Sequence, residues 1–224
     1  MKNIFWFGLF IIIFAFQNDS VYAETIPLNA RFFIGSTLVD PQNLNTELTA
    51  QSLKNIDSIT AMGVEATHSI FSHLDWGFRY TKRTLLVKEL VDNPATDYQG
   101  ELNQDSVMLL LRVPFFKSDI FRADFFGGVG GSNTKFKIKT ASQDGELTRA
   151  KSGDWFATPY TSFGGSVAVG YKKFYFVVEG GVESNKVDKL ERTGTVNTNV
   201  NTIDLSGSYI TVGLLFDGLS GTRK

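Results

Sequence analysis

Ser162-Phe163-Gly164-Gly165-Ser166-Val167-Ala168-Val169-Gly170-Tyr171-Lys172-Lys173-Phe174-Tyr175-Phe176-Val177-Val178-Glu179-Gly180-Gly181-Val182-Glu183 (residues 162–183) decides how this chain folds. It reads as two strands joined by the Lys172-Lys173 turn, because strict alternation marks a sheet with two unlike faces. Phe163, Gly165, Val167, Val169 and Tyr171 share one face of the first strand, and Phe174, Phe176, Val178, Gly180 and Val182 continue it on the second. The opposite face carries Ser162, Gly164, Ser166, Ala168, Gly170, Tyr175, Val177, Glu179, Gly181 and Glu183. That face is too small and polar to make an oily core. A bulky face that suits lipid and a small polar face that suits a narrow lumen are the pattern of a membrane barrel.

The same alternation recurs on either side. Leu74, Trp76, Phe78 and Tyr80 oppose Asp75, Gly77, Arg79 and Thr81; Val107, Leu109, Leu111 and Val113 oppose Ser106, Met108, Leu110 and Arg112. Ile210, Val212, Leu214 and Phe216 oppose Tyr209, Thr211 and Gly213. Short connections centre on residues 69–72, 116–119 and 172–173, and long ones cover roughly 40–55, 85–103, 141–154 and 185–201. Four long and three short connections predict eight strands with both ends on the short-turn side. The expected fold is all-β: an eight-stranded antiparallel transmembrane up-and-down barrel with short periplasmic turns and long extracellular loops.

Lys2 followed by the apolar stretch Ile4–Phe16 reads as a secretory signal cut after Val21-Tyr22-Ala23. The stretch is short of the ~20 residues a membrane helix needs. The expected organisation is a signal peptide over 1–23, a barrel over 24–216 and a short periplasmic tail over 217–224. With no cysteine there are no disulfides or thiolate metal sites, and a net charge of −1 argues against a nucleic-acid partner.

Aromatics fall in two groups, as interfacial girdles would. Phe71, Phe115, Phe116, Phe121, Tyr171, Phe174 and Phe216 lie by the short turns, and Tyr80, Phe136, Trp155, Phe156 and Tyr160 lie towards the long loops. On these features the chain resembles the small eight-stranded outer-membrane barrels of the OmpA/OmpX type, over about residues 29–216. The resemblance implies that the last strand, with Tyr209, Ile210, Val212, Leu214 and Phe216, is the signal presented to the barrel-assembly machinery. Many members end at the aromatic, whereas here Asp217–Lys224 follows.

The expected lumen face holds Glu65, Asp75, Arg79, Arg112, Arg122, Asp124, Glu179 and Glu183. These read as a mutually neutralising plug, because buried ions need partners. The competing reading is a proton path or gated pore. Simple counting about the 116–119 turn sets Arg112 opposite Arg122 and assigns them acids from across the lumen, such as Glu179 or Asp75. His68 and His73 flank the first short turn and read as solvated turn residues. Gly127-Gly128-Val129-Gly130-Gly131 has no following helix to make a phosphate loop, since Lys135-Phe136-Lys137-Ile138-Lys139 alternates like a strand.

No catalytic, cofactor or metal constellation emerges. The functional expectation is a bacterial outer-membrane barrel with a structural or surface-interaction role. Its partners would be outer-membrane lipid and lipopolysaccharide, the assembly machinery during biogenesis, and a surface ligand held by the long loops. The alternative is passage of small solutes or apolar compounds across the outer membrane, and a surface-lipid enzyme ranks third.

Overall fold

A computed structural model describes residues 28–50, 53–71, 73–87, 99–139, 144–149, 158–195 and 198–218. The leader expected over 1–23, Trp155, Phe156 and the tail beyond Gly218 lie outside them. Eight antiparallel strands form the wall: β1 (Leu28–Val39), β2 (Ser58–Phe71), β3 (Leu74–Val87), β4 (Gln99–Lys117), β5 (Phe121–Lys139), β7 (Thr158–Tyr171), β8 (Phe174–Ser184) and β12 (Gly207–Phe216). Each pairs with its successor, and β12 pairs with β1, so the barrel is closed. A walk along the registers from Leu28 through His68, Trp76, Leu111, Gly127, Phe163, Val182 and Ser208 returns to β1 at Leu38, a shear of ten residues. For eight strands that shear sets a tilt of about 40°, at which side chains just fill the interior.

The faces divide as alternation requires. Phe78, Leu109, Leu111, Phe125, Val167, Phe176 and Ile210 stand exposed on the outside. Among the described residues, ten charged side chains point inward and none is more than 6% exposed. A water-soluble barrel distributes its residues the other way round.

Above the apolar belt the polarity reverses on the same strands. On β5, Phe125 and Val129 face out and Asp124 faces in, but ten residues further on Lys135, Lys137 and Lys139 face out and Phe136 and Ile138 are buried within. On β4, outward Leu109 and Leu111 give way to Asp105, Asn103 and Glu101, while Leu102 fills the interior. The strands leave an apolar surrounding and enter an aqueous one at this level, so the interior changes from ionic to oily.

The long connections build the oily part. Helix α1 (Gln42–Ala50) buries Leu44 and Leu48, one turn apart, against Val39, Leu53, Ile56, Ile59, Leu102, Phe136, Ile138 and Leu147. Short strands β6 (Asp144–Thr148), β9 (Lys186–Val187), β10 (Glu191–Gly194) and β11 (Ile203–Asp204) close over it with Val187, Val200, Ile203 and Leu205. Asn43 bonds Thr202 at 3.0 Å, and Arg149 pairs with Asp188, which ties neighbouring connections together. Three of the expected long loops are therefore part of the packed fold rather than bare polar segments. The remaining one is shorter than 85–103, because β3 runs to Val87 and β4 begins at Gln99.

Two expectations are corrected. Phe136 and Tyr160 point inward, 0% and 2% exposed, and cannot belong to an outer girdle. Arg112 stands opposite Phe126, not Arg122, and Arg122 stands opposite Lys117. The turn lies further along than counting placed it: the Ser118 hydroxyl accepts the amide of Phe121 at 3.0 Å, and the Ser118 amide donates to the Phe121 carbonyl at 2.8 Å. The ladder also slips between Pro114 and Phe116, where proline has no amide to contribute.

Candidate functional site: the ionic lumen

Alternation on six strands delivers charge to the lumen. Arg31 comes from β1, Glu65 from β2, Asp75, Arg79 and Arg83 from β3, Arg112 from β4, Arg122 and Asp124 from β5, and Glu179 and Glu183 from β8. Five guanidiniums meet five carboxylates, so the described interior is neutral as a set. Charges this deep need such balance, because taking an unpaired ion out of water costs several kcal/mol.

Arg112 is the hub. Its Nε and Nη2 donate to Glu65 at 2.6 and 2.9 Å, its Nη2 also reaches Glu179 at 2.6 Å, and its Nη1 reaches Asp124 at 2.5 Å. Arg79 bridges the same two glutamates, at 2.6 Å to Glu65 and 2.7 Å to Glu179. Its guanidinium is sandwiched between the rings of Phe33 and Phe126, 4.9 Å from each centroid. Arg31 donates to Glu179 at 2.7 Å and to the Ser166 hydroxyl at 3.3 Å. The planar forks of arginine suit this bidentate sharing, which a lysine ammonium could not reproduce.

Two satellites flank the hub. Towards the short turns, Arg122 donates to Asp75 at 2.6 Å and lies 3.3 Å from Asp124; Asp75 also accepts from Ser69 at 2.6 Å. Towards the cap, Arg83 pairs with Glu183 and donates to the Tyr160 hydroxyl at 2.7 Å, which itself donates to Glu183 at 2.7 Å. Beneath the lattice, Ala168, Tyr175, Val177 and Leu215 pack at the turn end. There Asp217 returns under the barrel to Lys117 at 3.0 Å, and the Gly218 amide donates to Asn29 at 2.9 Å.

All eight expected lumen residues point inward: Glu65, Arg79, Arg112, Asp124 and Glu179 form the hub, Asp75 and Arg122 the pair towards the short turns, and Glu183 has its own partners. The geometry adds Arg31, Arg83, Asn29 and Tyr160, which the reading of the sequence missed, and Ser166, which it had set on the small polar face. Arg31 hides behind the adjacent bulky pair Phe32-Phe33, although Asn29, Arg31 and Phe33 do alternate. Arg83 lies two residues past the expected end of its strand, and Arg79-Thr81-Arg83 carries the signal. The terminal strand splits by face: Tyr209 is buried with its hydroxyl 3.3 Å from Glu179, while Ile210, Val212 and Leu214 face out and Phe216 packs edge-on to Phe174 at 5.1 Å. His68 is half-buried opposite Trp76, and His73 is exposed in its turn.

The carboxylates of the lattice pair with guanidiniums, and the hydroxyls of Tyr209 and Ser69 bond Glu179 and Asp75. The described residues contain no group of three or more His, Cys, Asp or Glu that could hold a metal ion. No protein-family model and no curated protein sequence matches the chain. Among solved structures it is similar to Ail, the attachment invasion locus protein of Yersinia pestis, in complex with the heparin analogue sucrose octasulfate (10% identity, 87% of this chain and 99% of that one, TM-score 0.49). It is similar also to the outer membrane protein OprG of Pseudomonas aeruginosa (14% identity, 88% and 99%, TM-score 0.45). A third is the outer membrane protein AlkL in DMPC lipid bilayers (9% identity, 93% and 100%, TM-score 0.39).

Proposed function

We propose that the protein is an exported bacterial outer-membrane barrel whose lumen is a fixed structural plug and whose work is done by its extracellular cap. The observation that carries this reading is the double seal. An ionic lattice of five arginines and five acids fills the membrane level, and an oily cluster from Val39 to Leu205 fills the level above. Among the described residues, the charged side chains of the lower level and the apolar side chains of the upper one are all buried. An interior of this kind stabilises a scaffold and leaves recognition to the outside.

The outside of the cap is rich in neutral polar and charged residues: Asn43, Thr46, Lys139, Lys186, Asp188, Arg192 and Thr193. Such a surface suits hydrophilic partners, and its lower rim, near Lys82 and Lys135, sits where lipopolysaccharide headgroups begin. The surface ligand is read as a macromolecule or glycan met by the cap. The last strand, Tyr209–Phe216, serves the assembly machinery during biogenesis, after removal of the leader.

Purified protein in planar bilayers tests the plug, with fractionation and heat-modifiable migration on gels as the check on insertion. The expected result is an inserted barrel without steady conductance. Large, reproducible openings in inserted wild-type protein would replace this reading with transport.

A further inference from the structure

The lipid-facing wall is not smooth. Between β4 and β12 it carries a hollow of about 390 Å³, lined on its outer side by Phe115, Phe125, Val167, Val178 and Ile210. Its floor is a pair of directly opposed glycines, Gly165 on β7 and Gly180 on β8, in the register row Phe125–Gly165–Gly180–Ile210. The stacked rings of Phe115 and Phe125, 4.8 Å apart, raise one rim. Strand tilt makes the row climb obliquely across the apolar belt.

Backbone crowding does not demand these two glycines. A side chain at Gly164 or Gly181, the paired glycines on the lumen side of the same strands, would come within 2.4 or 2.2 Å of a carbonyl oxygen. One at Gly165 or Gly180 would meet nothing nearer than 3.4 or 3.5 Å, which is ordinary contact. The fold tolerates side chains in the hollow, yet it is left open.

We propose that this groove is a seat for one acyl chain of a phospholipid from the periplasmic leaflet. The inference rests on the membrane reading above, because only in a bilayer is hydrocarbon the medium at this depth. The lower end of the groove lies over two turns that are bonded together: the Gly170 amide donates to Ile120 at 2.8 Å and the Lys172 amide to Asp119 at 3.0 Å. Those turns carry Lys117, Lys172 and Lys173, with Asp119 beside them and Asp217 drawn towards Lys117 and Arg122. The Lys172 ammonium lies over the exposed Tyr171 ring, 5.0 Å from its centroid, at the turn end of the apolar belt. A cation at the boundary and an apolar slot above it match the two ends of a phospholipid.

The test uses the full barrel in phosphatidylethanolamine and phosphatidylglycerol vesicles, with a tracer phospholipid bearing a photoactivatable group in its chain. Adducts are mapped by peptide mass spectrometry. Labelling of Phe125, Val167, Val178 and Ile210 is expected to exceed that of Val64 and Phe78 on the far wall several-fold. The G165L/G180L pair should abolish the excess and leave the far wall unchanged, and Gly165→Val alone carries the same test should the pair fail to insert. K172A should weaken groove labelling by a phosphatidylglycerol tracer more than by a phosphatidylethanolamine tracer. Even labelling around the barrel, an excess that survives filling of the groove, or a cross-link between two copies at Val167 would each overturn the proposal. Absence of labelling on both walls, with migration unaffected by boiling, would mean that the membrane reading has failed and taken this one with it.

Discussion

Arg112 on β4 and Glu65 on β2 meet over the intervening β3 as a two-point fork, Nε to Oε1 at 2.6 Å and Nη2 to Oε2 at 2.9 Å, with both side chains no more than 3% exposed. The same guanidinium serves Glu179 and Asp124, so three acids share one cation.

Arg112→Ala should therefore act as the loss of a hub rather than of one pair. Removing one partner of a buried ion pair costs roughly 3–5 kcal/mol, because the remaining charge is stranded. Arg112→Lys keeps the charge but loses the fork, and should fall between wild type and alanine. Urea titration followed by the folded-to-unfolded band shift measures both. Equal stability of the alanine variant and wild type would mean that the lattice contributes nothing.

Asp217 offers the contrasting case. It reaches Lys117 at 3.0 Å, but the lysine is 46% exposed, and Arg122 at 3.8 Å already has Asp75 and Asp124. Exposed pairs contribute ~0–1 kcal/mol. Asp217→Ala should thus shift the urea midpoint far less than Arg122→Ala, and the two measured side by side decide whether the turn-end contact is a latch or an ornament of the rim.

What alternation could expose, it did expose. Strands such as 162–171 and 174–183 have one bulky and one small face, and parity alone fixes which way Glu179 or Val178 points. Register escaped, because it depends on the Ser118 turn and the slip at Pro114, and each displaces every later pair. The cap escaped for a different reason. Leu44, Leu48, Leu53 and Ile56 are scattered through polar stretches with no single period, and only the tertiary meeting with Phe136 and Ile138 makes them a core. The polarity reversal on β5 stood in Lys135-Phe136-Lys137-Ile138-Lys139, whose apolar residues share the parity of Asp124 rather than of Phe125.

The outer wall makes a sided prediction. Leu109 and Val178 face lipid, so arginine at either should impair insertion by about 2–4 kcal/mol at mid-bilayer depth. Arginine at Asn133 or Lys137, on the same face but above the belt, should be tolerated. Membrane fractionation and heat-modifiable migration of the four variants give the answer. Tolerance that failed to change between Val129 and Lys135 along β5 would displace the membrane boundary assigned here.

The cap should fail independently of the barrel. Phe136 is fully buried at the centre of the oily cluster, and Phe→Ala in a core costs about 3–5 kcal/mol. Leu48→Asp, which sets a carboxylate against Ile56 and Val187, should be worse still. Neither touches Arg112 or its acids, so the lower barrel should insert and migrate as wild type. The loosened cap should then be cut by protease on intact cells, within residues 40–57 and 185–206, at concentrations that spare the parent. Shortening the 195–199 segment should do the same, since Thr198 and Val200 are buried and the Thr195 amide bonds Asp144 at 3.1 Å. Conductance is the deciding readout. With the cap open and the lattice intact the channel should stay shut, and only a second lesion at Arg112 should let ions through. Current in Phe136→Ala alone would make the oily cap, not the ionic lattice, the true seal.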